Sequence, residues 1–335
     1  MIVAHSARIA AIAVCTFALA GCSSHHALGS PASGTTSAAV PSQPPALHVN
    51  PLTGGPPTHS PAVAVKVDDT ADGRPQVGID SADIVYIEQV EGGLTRLLAV
   101  FETKLPKVEA VRSTRVGDPE IALQYGPIDY VASGGSDGEL KPLKASKLRW
   151  TVGDKGGPGF GRDPSRPVPF NLTADLASIA KRLKGPTAKD IGLTWTADIT
   201  NGGVIPATKV RTVVGGTAIE FDWSAARHRY VRIINDAPAK AADGNVVATP
   251  NVVVQSCQVT TFNGDIDQSG SPAKVTHTIG QGSVAVFRDG RRINGTWHRA
   301  TVGDVTHLVD THGRPITLAP GGAWFVLVAT GTPIS

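Results

Sequence analysis

Between Ala62 and Arg115, ionisable side chains interrupt runs that otherwise read as core. Asp68, Asp69, Asp83, Glu88 and Glu91 stand against Arg74, Arg96, Arg112 and Arg115. At such density they do one of two things. They pair into a structural network, each arginine gripping a carboxylate with two donors, or they leave donors and acceptors for a ligand or a proton transfer. Asp68 and Asp69 close a β-branched run, at a strand end where sheet proteins often place functional carboxylates. Alternation sends the two to opposite faces, so at most one enters a shared cleft. Glu88 and Glu91 also fall on opposite faces unless Gly92-Gly93 bends the strand, which makes Glu91 the better partner for Asp68. Two such carboxylates could divide acid and base roles if their surroundings separated their pKa values. Arg96 or Arg112 could equally neutralise each of them. Arg112-Ser113-Thr114-Arg115 puts two guanidiniums and two hydroxyls at a strand end just before a helix start, a cradle for a carboxylate or phosphate. The candidate ligand site is therefore Arg112, Arg115 and Ser113, backed by Asp68, Glu91 and Arg96. No catalytic residue is assigned.

The elements that position this cluster follow from pattern. Ala62–Val67, Ile84–Val90 and Leu94–Phe101 are β-branched runs and read as strands. Asp118-Pro119-Glu120 is a helix start with Asp118 as N-cap, and Gly126-Pro127 stops that helix after Tyr125. Ile128–Ala132 reads as a strand, and the glycine-rich turn after it leads into a short helix. Its spacing fits neither the dinucleotide fingerprint nor the P-loop. Gly153–Pro169 is a long loop carrying Arg162, Asp163 and Arg166. Thr173 caps a third helix, whose Leu176, Ile179, Ala180 and Leu183 form one apolar stripe.

Composition shifts at Ile191–Pro206. Beyond it come strands at Lys209–Val214, Ala218–Trp223, Tyr230–Ile234, Val252–Thr261, Ser283–Phe287 and Trp324–Val328, separated by Asp-Gly and His-Gly turns. The expected fold class is α+β: an α/β-like N-terminal domain over 51–200, then a mainly β domain over 201–335, a curled sheet or open barrel.

The start of the chain has a different character. Met1–Gly21 reads as a targeting peptide, with His5 and Arg8 before an apolar run, Ile9–Leu19, that is too short to span a bilayer. Leu19-Ala20-Gly21-Cys22 resembles the lipobox of bacterial lipoproteins. That resemblance implies cleavage before Cys22, lipidation (palmitate) on it, and attachment to the outer face of the cell membrane. Residues 22–50, poor in charge and in large apolar groups, form a tether. The formal net charge is only +3, and no basic stripe interleaved with aromatics occurs, so nucleic acid is excluded as a partner. The histidines show no metal-ligand spacing, and neither a metal nor a cofactor is expected. Cys257 reads as a small buried hydrophobe. Trp297, Trp324 and Tyr230 could stack on a sugar or fill core.

A family resemblance rests on Asp68-Asp69, Arg74-Pro75-Gln76, Ala82-Asp83-Ile84-Val85-Tyr86, Glu91-Gly92-Gly93, Thr95-Arg96 and Val111-Arg112-Ser113-Thr114-Arg115. In the second half it rests on Asn251-Val252-Val253-Val254, Gly290, Gly295-Thr296-Trp297 and Pro320-Gly321 before Trp324. In these motifs the chain resembles the YerB-like lipoprotein family. The resemblance implies a two-domain bacterial surface lipoprotein of unknown function, with no activity or catalytic residue to transfer. One departure is Phe170, where relatives tend to carry histidine before Asn171. Two functions remain open. One is an envelope-anchored binding protein for an anionic wall glycan, a wall peptide or an envelope protein. The other is a carboxylate-dependent hydrolase or lyase acting on wall polymer.

Overall fold

The computed structural model describes residues 49–266 and 270–335. The expected signal peptide, Cys22 and most of the tether lie outside the described residues. The first half forms β1 (Val63–Asp68), β2 (Ile84–Gln89), β3 (Thr95–Phe101), β4 (Lys107–Glu109), α1 (Asp118–Ala122), β5 (Asp129–Ala132), α2 (Asp137–Ala145), β6 (Arg149–Val152), β7 (Phe160–Arg162), β8 (Leu172–Asp175) and α3 (Leu176–Leu183). The second half is strand throughout: β9 (Lys209–Val214), β10 (Thr217–Ser224), β11 (Arg229–Ile234), β12 (Asn251–Ile266), β13 (Pro272–His277), β14 (Gly280–Arg288), β15 (Arg291–Arg299), β16 (His307–Asp310) and β17 (Ala323–Ala329), besides two-residue pairings.

One mixed sheet runs through both halves in the order β15-β14-β12-β17-β2-β3-β1-β5-β6. The seam is β17. It lies parallel to β12 on one side and to β2 on the other, with Val85 opposite Trp324 and Tyr86 opposite Phe325. Both faces of the central strands β1, β2, β3 and β17 are covered, so these are largely apolar instead of alternating. On β1, Val63, Val65 and Val67 join one core, while Ala64 joins the other. The first face is closed by the small sheet β9-β10-β11, by the β4-β8-β7 sheet and by α3, through Val210, Phe221, Tyr230, Ala174 and Ile179. The second is closed by α1, α2 and loops that contribute Ile121, Tyr125, Leu143, Ile191 and Ile316.

The mainly β reading of the second half agrees with this architecture. The α/β-like reading of the first half does not: its three helices are short and strands dominate it as well. The helix starts were legible, but the helices stop early. After α1, Leu123–Tyr125 tighten into a 3₁₀ turn and Gly126 leaves with φ 94°. Asp118 is the first helical residue and not the cap; its carboxylate reaches back to the Arg115 amide at 2.7 Å. Thr173 belongs to β8, and the cap of α3 is Asp175, which accepts a hydrogen bond from the Ser178 amide at 3.0 Å. The long loop contains β7.

Candidate functional site

The cluster gathers at the carboxyl ends of the parallel strands β1, β5 and β6, the usual ligand end of such a sheet. There β1 and β5 splay, and the chain from Ala110 to Thr114 wedges between them. The Asp68 amide donates to the Ala110 carbonyl and the Arg112 amide to Lys66, both at 2.9 Å. On the other side the Ser133 amide donates to the Arg112 carbonyl at 2.8 Å and the Thr114 amide to Gly134 at 2.9 Å. This extra strand fixes Arg112 and Ser113 at the sheet end with backbone bonds on both flanks.

Asp68 and Asp69 do face opposite ways. Asp68 ion-pairs with Arg112 (Nε to Oδ2, 3.0 Å), and its Oδ1 accepts from the Thr70 amide at 2.7 Å. Gly73 must be glycine here, because a Cβ would lie 2.4 Å from Asp68 Oδ1. Asp69 serves the far face, where its Oδ2 accepts from Thr95 Oγ1 (2.8 Å) and from Arg232 Nη2 (2.7 Å). Glu91 is not the partner of Asp68. It takes Arg115 instead, through Nε at 2.9 Å and Nη2 at 2.5 Å.

Arg115 is fully committed. Its Nη1 meets Glu139 at 2.7 Å and the Thr114 carbonyl at 2.8 Å. Arg96 has the opposite condition. Its only hydrogen bond among the described residues is a long one, Nη1 to the Ser113 carbonyl at 3.3 Å, and no carboxylate pairs with it. Burial, together with the charges of Arg115 and Arg112, lowers its pKa to about 9, with Glu91 and Asp68 pulling the other way. Arg112 Nε meets Asp68 as an ion pair without hydrogen-bond geometry, and both terminal nitrogens are without a partner among the described residues. Its guanidinium lies over the Phe170 ring, 5.0 Å from the centroid. Burial also lowers the Arg112 pKa. Ser113 Oγ lies 3.4 Å from Ser133 Oγ.

Behind this front is a wholly buried network. Lys66 contacts Glu88 and, at 2.7 Å, Asp118. Asp118 also accepts from Tyr130 (2.6 Å) and Thr114 (3.1 Å). Desolvation brings the Lys66 pKa down to about 8. Among the described residues no group of His, Cys, Asp or Glu could hold a metal ion.

Residues 52–189 match the family described as "Protein of unknown function (DUF3048) N-terminal domain", and residues 209–325 match its C-terminal domain. The chain belongs to the DUF3048 family. It is 28% identical over 276 residues to "Putative lipoprotein YerB" of Bacillus subtilis (strain 168), a match spanning 79% of this chain and 80% of that protein. The crystal structure of YerB from Bacillus subtilis has the same fold, with a TM-score of 0.71 at 24% identity over 86% of this chain and 99% of that one. No helix among the described residues is long and apolar enough to cross a membrane.

The DUF3048 fold thus brings Asp68, Arg96, Arg112, Ser113, Glu91 and Arg115 to one sheet end. It gives Arg115 to support and Arg96 to the front, the reverse of the sequence reading. Ser133, Glu139 and Phe170 were missed. Glu139 had a visible signal, since Ser136 and Glu139 form a capping box at the start of α2. Phe170 stood out only as a departure from relatives, and nothing local marked it as the platform for Arg112.

Proposed function

We propose that this DUF3048 protein is a lipid-anchored, extracytoplasmic binding protein of the bacterial envelope. Its ligand is an anionic wall fragment, or an envelope partner presenting the same chemistry. Arg96 and Arg112 hold the anion with their spare donors, and the Ser113 and Ser133 hydroxyls complete the cradle. The observation that carries this reading is the distribution of pairing. The charges of the cluster nearly balance, yet Arg115 takes two carboxylates and Arg96 takes none. A half-buried guanidinium without a counter-ion beside another with two free nitrogens is costly unless an anion visits. The hydrolase or lyase reading has less support, because Asp68 and Glu91 are each engaged by an arginine and neither stands free to exchange a proton.

The test is a titration of the wild type, Arg112→Ala and Arg96→Met with muropeptides and with phosphate-bearing wall glycans, alongside thermal melts. Binding should fall by about tenfold or more in both variants. Arg112→Lys should recover part of it, restoring charge without the fork. Unchanged affinity with a large drop in melting temperature would make the cluster a purely structural network and end the proposal.

A further inference from the structure

The opposite face of the same strand end carries a second arginine pair that the cluster above does not use. Asp69 turns there to meet Arg232 of β11, and Arg74 lies beside them. Two clefts, of about 380 Å³ and 300 Å³, adjoin at Arg74, Arg232, Ile234 and Asn235, which line both. Arg232 is nearly enclosed, its side chain 5% exposed, and it donates only Nη2, to Asp69. Its Nε and Nη1 make no hydrogen bond among the described residues, and its guanidinium lies 5.3 Å from the centroid of the Trp324 ring. Arg74 donates Nε to the Thr70 carbonyl at 3.1 Å, and its two terminal nitrogens have no partner among the described residues. Burial lowers its pKa, and the charge of Arg232 lowers it further while Asp69 opposes.

The larger cleft has a second character. Beyond the two arginines its walls include Ile79, Ile234, Pro238, Val247 and the Trp324 ring, with Lys240 the remaining charge. Uncommitted donors on a charged floor, set against an apolar wall, match a ligand with an anionic head and an apolar body.

We propose that this cleft binds an organic monocarboxylate with an apolar body, the carboxylate lying between Arg74 and Arg232. The charge count favours a monoanion over a phosphate dianion. On the enclosed floor Arg74 and Arg232 together exceed Asp69 by one positive charge, which one carboxylate neutralises, while the cleft's other positive charge, Lys240, is exposed at the rim and screened by water. A dianion seated on the floor would crowd its second charge against Asp69, whose Oδ1 is already buried without a partner among the described residues. The smaller cleft is lined by Glu220 and Asp236, which repel further anions and confine the head to the larger one. A peptide ending in an apolar residue and a short fatty acid share this chemistry.

The experiment is a calorimetric titration of the purified full-length protein with four probes: acetyl-Ala-Leu, its C-terminal amide, octanoate and inorganic phosphate. At least one of the two acids should bind, and preference between them identifies the source. The amide should bind about tenfold more weakly than acetyl-Ala-Leu, or not at all if octanoate is the preferred acid. Arg74→Gln removes donors from a half-exposed side chain, and Lys240→Glu reverses an exposed charge at the rim. Each should weaken the preferred acid about tenfold, with melting temperature close to wild type. Arg112→Ala, on the other face, should leave this affinity unchanged. Equal binding of acid and amide, no binding of either acid, tighter binding of phosphate that persists in Arg112→Ala, or indifference to both Arg74→Gln and Lys240→Glu would each overturn the proposal.

Discussion

Lys66→Met tests how the buried end of the sheet is held. The ammonium and its partners are closed off together: the side chains of Lys66 and Asp118 are 0% exposed and that of Glu88 is 3% exposed. Methionine has similar length and bulk, so the perturbation is electrostatic and not a cavity. Burial takes the Lys66 pKa from 10.5 to about 8 against the pull of Asp118. At neutral pH the charged amine therefore costs the folded state about 3 kcal/mol relative to water. Removing it costs more. Asp118 keeps its bonds from Tyr130, Thr114 and the Arg115 amide, but Glu88 loses its one side-chain partner among the described residues. Breaking a buried pair in this way costs about 3–5 kcal/mol, or about 6–15 °C in melting temperature for a chain of this size. Guanidinium unfolding at pH 7 measures the loss, and Lys66→Met with Glu88→Gln should recover at least half of it. The pH dependence checks the sign. The folded pKa lies below the unfolded one, so unfolding takes up a proton between about pH 8 and pH 10.5, and wild-type stability gains across that window. Lys66→Met lacks the gain, and the gap between the two proteins should widen from pH 7 to pH 10. A loss under about 1 kcal/mol at pH 7, or a gap that narrows with pH, would refute the reasoning.

Burial raises the Asp129 carboxyl to about 6, opposed by the Gly185 amide and Arg149. The wild type therefore loses stability as pH rises from about 4 to 6. Asp129→Asn should be more stable than wild type by up to about 3 kcal/mol at pH 7 and no more stable at pH 4, read from denaturation midpoints. Cys257 is wholly buried and its thiol is held up by desolvation. A thiol reagent should label it only after unfolding, and labelling of the native protein at the unfolded rate would contradict its place in the core. Cys22→Ala should leave the protein unlipidated and released from the membrane fraction; retention there, or a mature N-terminus elsewhere, would count against the anchor.

How much of this was legible depends on what each residue answers to. The strands at 62–101 were readable because a sheet covered on both faces favours long runs rich in β-branched residues, and Val63–Val67 supplies one broken only by Ala64 and Lys66. β15 was missed for the converse reason. Its inward positions include Ile293 and Trp297 but end on Arg299, wholly buried, whose terminal nitrogens donate to Thr278 Oγ1 and to the Glu120 and Val302 carbonyls while Nε is left without a partner among the described residues. A charge at a core position hides the alternation that would have marked the strand. At the site, the opposite facing of Asp68 and Asp69 followed from strand periodicity alone. The exchange of roles between Arg96 and Arg115 did not, since it turns on Glu139 arriving from a separate element, α2. Pairing among many like charges is decided by tertiary approach, which local sequence does not encode.

The position of β17 has a consequence for the order in which the molecule can be made. Synthesis delivers the amino end first, so β2 emerges with one neighbour, β3, and an open edge where Ala323–Ala329 will later sit. That edge is apolar on both faces and offers unpaired backbone groups, the combination most prone to pairing with another chain. It stays open until β17 arrives, because contacts such as Val85 with Trp324 join residues far apart in the chain. Closing so distant a pair is slow. The first half therefore cannot reach its final form while the second is still being delivered, and truncation a few residues before Ala323 should yield aggregates and not a shorter folded protein. The newborn chain carries β2 with an open edge, and the length of that wait is set by the time taken to deliver everything up to β17.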